Sequence, residues 1–91
     1  MAEPVHDFVI TPHGEFEMER RGIGYDMLRH VLEAPEQREC VRPNRDVLQS
    51  RIYDEGREFL VRVFVDVDRV PPEVVTVYRT SKVDKYWRNE P

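Results

Sequence analysis

The chain has 91 residues, 40% hydrophobic and 35% charged, with a formal net charge of -4; that makes one domain with a modest core and no apolar run long enough to cross a bilayer. No signal peptide is read at its start, so a cytoplasmic location is expected. The acidic total argues against indiscriminate attachment to nucleic acid, whose affinity rests on cations meeting phosphates, although residues 1–40 carry -5 and residues 41–91 carry +1.

In chain order, Phe8-Val9-Ile10 reads as a short strand or extended segment. Thr11-Pro12 then offers a helix cap followed by proline at the first helical position. The first helix is expected over about Pro12 to Arg21, with Gly22 as its left-handed terminator. At about 100° per residue, His13, Glu17, Arg20 and Arg21 share one broad sector of that helix, and Phe16, off the sector, is the expected core anchor. The second helix, about Gly24 to Glu33, places Met27, Leu28, Val31 and Leu32 on one buried face. Ala34-Pro35 ends it, because a residue before proline avoids helical geometry.

From Glu36 onward the period becomes two. Turn signals at Pro43-Asn44, Asp54-Glu55-Gly56 and Val70-Pro71-Pro72 divide four candidate strands. The clearest alternates Phe59, Val61, Val63, Val65 and Val67 with Leu60, Arg62, Phe64 and Asp66, so one side faces the helices. Pairing that side with Leu48, Ile52, Val75 and Val77 leaves Gln49, Arg51, Tyr53, Arg62, Thr76 and Tyr78 on the other. The expected fold is α+β: two N-terminal helices packed on an antiparallel sheet of about four strands. After the last strand, Arg79 to Arg88 holds four cations against one acid and includes Tyr86 and Trp87, a composition that suits phosphates and base stacking or, equally, a final short helix packed on the domain.

Several chemistries are missing from the sequence. There is no glycine-rich phosphate loop, no nucleophile elbow and no paired-cysteine zinc pattern. The three histidines are too irregularly spaced to nominate a metal site, and the single cysteine, Cys40, reads as a small apolar strand residue. No cofactor is expected. What the first helix does offer is an imidazole and guanidiniums along one sector, a set suited to phosphate-ester chemistry.

His13, Met18, Arg21, Gly22 and Ile23, with Glu33-Ala34-Pro35-Glu36 and Val75-Thr76-Val77-Tyr78-Arg79-Thr80-Ser81-Lys82, resemble a family of small bacterial domains of unknown function that is similar to the BrnT and RelE type toxins of type II toxin-antitoxin systems. The resemblance covers about residues 8 to 87, within a single domain spanning 1–91. One departure stands out: members usually carry an arginine where this chain has Glu17. The resemblance implies a RelE/BrnT-like fold, a concave surface of cations and tyrosines on the helix-free side of the sheet, and metal-independent cleavage of RNA. Such cleavage needs a base on the 2'-hydroxyl, stabilisation of an anionic transition state and an acid for the leaving oxygen. His13 is the candidate base or acid, Arg21, Arg62 or Arg79 the phosphate clamp, and Tyr78 or Tyr53 the second proton relay. Arg51, Tyr53, Lys82 and Lys85 are the candidate RNA contacts. The implied partners are a cognate antitoxin and RNA or the ribosome. The competing expectation is a non-catalytic module that keeps the toxin fold and acts through protein contacts or self-association as a homodimer, a reading favoured by Glu17 and the acidic total.

Overall fold

A computed structural model describes residues 2–89. Thr11 makes the first junction along the chain. Its Oγ1 accepts the Gly14 N–H at 3.0 Å and donates to the Val74 carbonyl at 3.1 Å, so a single side chain caps a helix and ties it to a distant strand. Strand β1 (Val9–Ile10) ends there and helix α1 (Pro12–Arg20) begins. The helix closes in a Schellman arrangement: Gly22, at φ 66°, donates to Glu19 and Ile23 donates to the Met18 carbonyl. Helix α2 (Tyr25–Glu33) follows and completely buries Leu28, Val31 and Leu32.

Strands β2 (Gln37–Arg42), β3 (Arg45–Asp54), β4 (Arg57–Asp66) and β5 (Glu73–Thr80) then form an antiparallel meander, and a short helix α3 (Val83–Tyr86) closes the element order. The β3–β4 link is a two-residue hairpin in which Glu55 and Gly56 both take positive φ, the mirror-image turn that matches strand twist. The spatial order is β1-β5-β4-β3-β2, with β1 parallel to β5. The α+β class is as expected, but the sheet has five strands and is mixed, and a third helix lies beyond it. Phe8-Val9-Ile10, which reads from sequence as a short strand or extended segment, supplies the added strand by pairing over two residues with β5.

The main core lies between α2 and the sheet, where Leu28, Val31 and Leu32 join Leu48, Val61, Val63, Val65, Val74 and Val77, with Met18 and Ile23 at the flank. Each large aliphatic side chain so buried contributes about 1.5–3 kcal/mol by area alone. Two expectations are corrected here. Phe16 is not an anchor: it is 62% exposed, because α1 lies along the outer edge of β5 and turns Gly14, Glu17 and Met18 inward instead. Val75 does not share the core side either. Phe64 pairs with Thr76 but Val65 pairs with Val74, so Val75 is the extra residue of a bulge and Val74 takes the buried position.

The other side of the sheet is not open throughout. Val47 and Leu60 are fully buried yet lie outside the helix-side cluster. The chain after β5 crosses this side: Gln49 Nε2 donates to the Tyr86 carbonyl at 3.2 Å, and Gln37 Nε2 donates to the Arg88 carbonyl at 2.6 Å. No helix among the described residues is long and apolar enough to cross a membrane.

Candidate functional site

Arg62 projects from the middle of β4 on the side away from α2 and is only 8% exposed. Among the described residues no carboxylate pairs with it. Its Nε donates to Gln49 Oε1 at 2.8 Å and its Nη1 donates to the Tyr78 hydroxyl at 2.7 Å. Its charge is otherwise faced by rings: the guanidinium carbon lies 4.4 Å from the Tyr86 ring centre, 5.3 Å from Phe64 and 5.7 Å from Tyr78. A buried cation normally takes an anionic partner, since burial of an unneutralised charge is costly. Here only neutral acceptors and π faces stand in for one.

The strand register explains this grouping. Gln49 is directly opposite Arg62 on β3, and Tyr78 is directly opposite it on β5. Gln49 is itself held, its Nε2 donating to Gln37 Oε1 at 2.8 Å as well as to the Tyr86 carbonyl. Helix α3 brings Tyr86 edge-on to Tyr78, ring centres 6.2 Å apart. From the other flank, Arg21 at the end of α1 places its guanidinium 5.6 Å from the Tyr78 ring centre while its Nε donates to Glu17 Oε1 at 3.0 Å. Lys85 Nζ lies 5.3 Å from the Tyr86 ring centre. Two phenols are thus ringed by three cations, of which Arg21 alone is matched to a carboxylate among these contacts.

The two phenols are driven apart electrically. Burial raises the Tyr78 pKa above the ordinary phenol value, against the opposing influence of Arg62. Hydrogen bonding from Tyr78, and then from Lys85, lowers that of Tyr86. The opposed directions place a phenol kept protonated, Tyr78, beside one that ionises more readily, Tyr86.

Of the residues singled out from sequence, Arg62, Tyr78, Arg21 and Lys85 come together here. Arg51 stands on the same side, diagonal to Arg62 across the β3–β4 pair, with its guanidinium carbon 3.9 Å from the Trp87 ring centre. The others do not join. His13 is exposed near the start of α1, stacked on Phe16 at 6.5 Å, and eight residues of helical rise, about 12 Å, separate it from Arg21. Arg79 follows Tyr78 and so faces the helix side, where it meets Phe59 and lies 3.7 Å from Asp54. Tyr53 is 75% exposed beside the hairpin turn and bonds Glu58, which raises its pKa. Lys82 is exposed before α3, its backbone N–H on Thr80 Oγ1.

Sequence reasoning missed Gln49 and Tyr86 as members. A signal for Gln49 existed, because an amide directly across the sheet from an interior arginine supplies the acceptor that the arginine needs. For Tyr86 the signal is the mixture of cations and aromatics after the last strand, which leaves base stacking and packing equally open, since its place depends on how the chain turns after β5. No metal-binding group of three or more His, Cys, Asp or Glu side chains occurs among the described residues. Comparison with protein-family models, with curated proteins and with solved structures finds no match to this chain.

Proposed function

We propose that the chain is a toxin-like endoribonuclease acting on RNA without a metal, with its reactive centre at Arg62, Tyr78 and Tyr86. The observation that carries this reading is the buried guanidinium of Arg62, whose hydrogen-bond partners are neutral, an arrangement that leaves its charge for an anionic ligand. A phosphodiester is the anion whose chemistry also uses the neighbouring phenols.

In this scheme the Tyr86 phenolate takes the proton of a ribose 2'-hydroxyl, whose oxygen attacks the adjacent phosphorus. Arg62 stabilises the added charge on the non-bridging oxygens, with Arg21 and Lys85 contributing at longer range. Tyr78, kept protonated by burial, gives its proton to the departing 5'-oxygen. The products are a 2',3'-cyclic phosphate and a 5'-hydroxyl. Two like groups with opposite displacements of pKa are the arrangement that divides base from acid. His13 has no part in it, and Arg79 acts only in holding Phe59 and Asp54.

The test is incubation of the purified protein with end-labelled RNA, with and without ribosomes. Cleavage by the wild type should fall by about 10²–10⁴ in Arg62→Gln and in Tyr86→Phe, with circular dichroism unchanged and His13→Ala retaining activity. Intact RNA in both wild-type arms would overturn the proposal. The second reading, a non-catalytic protein-binding module with the toxin fold, is favoured by one observation: Glu17 is buried and occupies both Arg20 and Arg21 at the flank of the cluster. It is separated from the first by growth arrest on expression, which the module does not produce.

A further inference from the structure

The chain that crosses the helix-free side ends in a feature the cleavage scheme does not use. Arg51 is held by Glu36 at three points: its backbone N–H donates to Oε1 at 2.7 Å, its Nε to Oε1 at 3.2 Å and its Nη2 to Oε2 at 3.0 Å. The ion pair neutralises the charge and fixes the guanidinium in place against the Trp87 ring, 3.9 Å from its centre. Arg51 is therefore a rigid planar surface more than a free cation. Beside this stack lies a cavity of about 340 Å³ lined by Ala34, Pro35, Glu36, Gln37, Arg51 and Trp87. That volume is at the small end for ligand sites. Its walls are a proline ring, an indole and a guanidinium, with carboxylate and amide groups available for hydrogen bonding.

The position relative to Arg62 matters. Arg51 and Arg62 are diagonal neighbours on one side of an antiparallel pair, their backbone positions about 7–8 Å apart. That is of the order of the reach from a nucleotide's phosphate to its own base. Tyr86 at the phosphate end and Trp87 at the cavity end are consecutive residues, so one short segment sets the spacing between them.

We infer that the Trp87–Arg51–Pro35 cavity is a base-stacking subsite, with one unpaired base inserted beside Trp87 while its phosphate sits at Arg62. The inference rests on the RNA reading given above and extends it. A base paired in a duplex has its faces covered by its neighbours and cannot enter. Cation-lined grooves with aromatic faces are the general means of holding single strands.

Trp87 is the single tryptophan of the chain, so its emission reports on the cavity directly. The full-length protein is titrated with inorganic phosphate, with a nucleoside 5'-monophosphate, and with a 2'-O-methyl single strand of about six nucleotides, which resists cleavage, or the same strand in a blunt duplex. The monophosphate and the single strand should quench Trp87 saturably, while phosphate alone and the duplex should not. By anisotropy of the labelled single strand, Trp87→Leu should lose about tenfold or more in affinity, and Trp87→Tyr, which keeps an aromatic face, should recover most of it. A single strand that binds through Arg62, as shown by loss in Arg62→Gln, yet leaves Trp87 emission and the Trp87→Leu affinity unchanged would overturn the subsite and leave the RNA reading standing. A wild-type protein that binds no RNA would overturn both.

Discussion

At the scale of single residues, the chemistry turns on which cations are already satisfied. Arg21 belongs to Glu17, Arg51 to Glu36 and Arg45 to Asp66, each through charge-assisted hydrogen bonds. Arg62 belongs to no carboxylate among the described residues, and it is the most buried of the four. Composition and periodicity put Arg62 and Tyr78 on one side of the sheet correctly, because alternation is all that such a placement needs. They could not bring in Tyr86, nor show that His13 is left exposed, because both depend on how non-strand segments pack. The resulting scheme has its own pH signature. A base whose pKa is lowered from the ordinary phenol value of about 10 makes the cleavage rate rise with pH above neutrality as the Tyr86 phenolate becomes populated. A histidine base would level off near neutrality. Single-turnover cleavage above neutrality should therefore keep rising in the wild type and in His13→Ala. A plateau below about pH 8 would assign the base elsewhere.

At the scale of elements, α1 is the informative case. Its start is legible in Thr11-Pro12 and its end in Gly22, since capping is local chemistry. Its inward face is not. The helix lies on the edge of β5 and not over the sheet, so its contact surface is narrow and set by one close approach at Gly14. A Cβ on that residue would stand 2.7 Å from the Val74 carbonyl oxygen, with Ile10 and Thr11 at 3.1 and 3.3 Å. Backbone cannot yield there without loosening the Thr11 bonds to the same carbonyl. Gly14→Ala should consequently destabilise the fold by about 1–3 kcal/mol, even though alanine is the better helix former by about 1 kcal/mol. Urea unfolding with an unchanged m-value is the measurement, and a stabilised variant would show that α1 can shift freely. The bulge in β5 marks the same limit. One added residue puts Val74 at the core in place of Val75, and alternation cannot reveal the exchange because the two neighbours are the same residue type.

At the scale of the whole molecule, a few carboxylate–arginine pairs fasten the structure, and one of them, Glu36 with Arg51, joins the acidic first half of the chain to the more basic second half. Glu36, leading into β2, reaches Arg51 on β3; Asp66, closing β4, reaches Arg45 at the start of β3; Glu17 holds the end of α1 through Arg20 and Arg21. In each the arginine hydrogen bond is the foremost cause of a carboxyl pKa below its ordinary value, opposed by burial. A carboxyl lowered in the folded state favours folding at every pH above its unfolded value, about 4 for these side chains. That contribution is lost as the pH falls through the lowered folded value, where folded and unfolded chains come to bind equal numbers of protons. Thermal stability should thus be flat from about pH 7 to pH 5 and decline below about pH 4. Glu17→Gln combined with Asp66→Asn should lower Tm at neutral pH and flatten the acid decline, because two of the three titrating groups are gone. Tm recorded by circular dichroism from about pH 7 to pH 3 checks this. An acid decline as steep in the double variant as in the wild type would mean that titration of these two carboxyls does not set the acid stability.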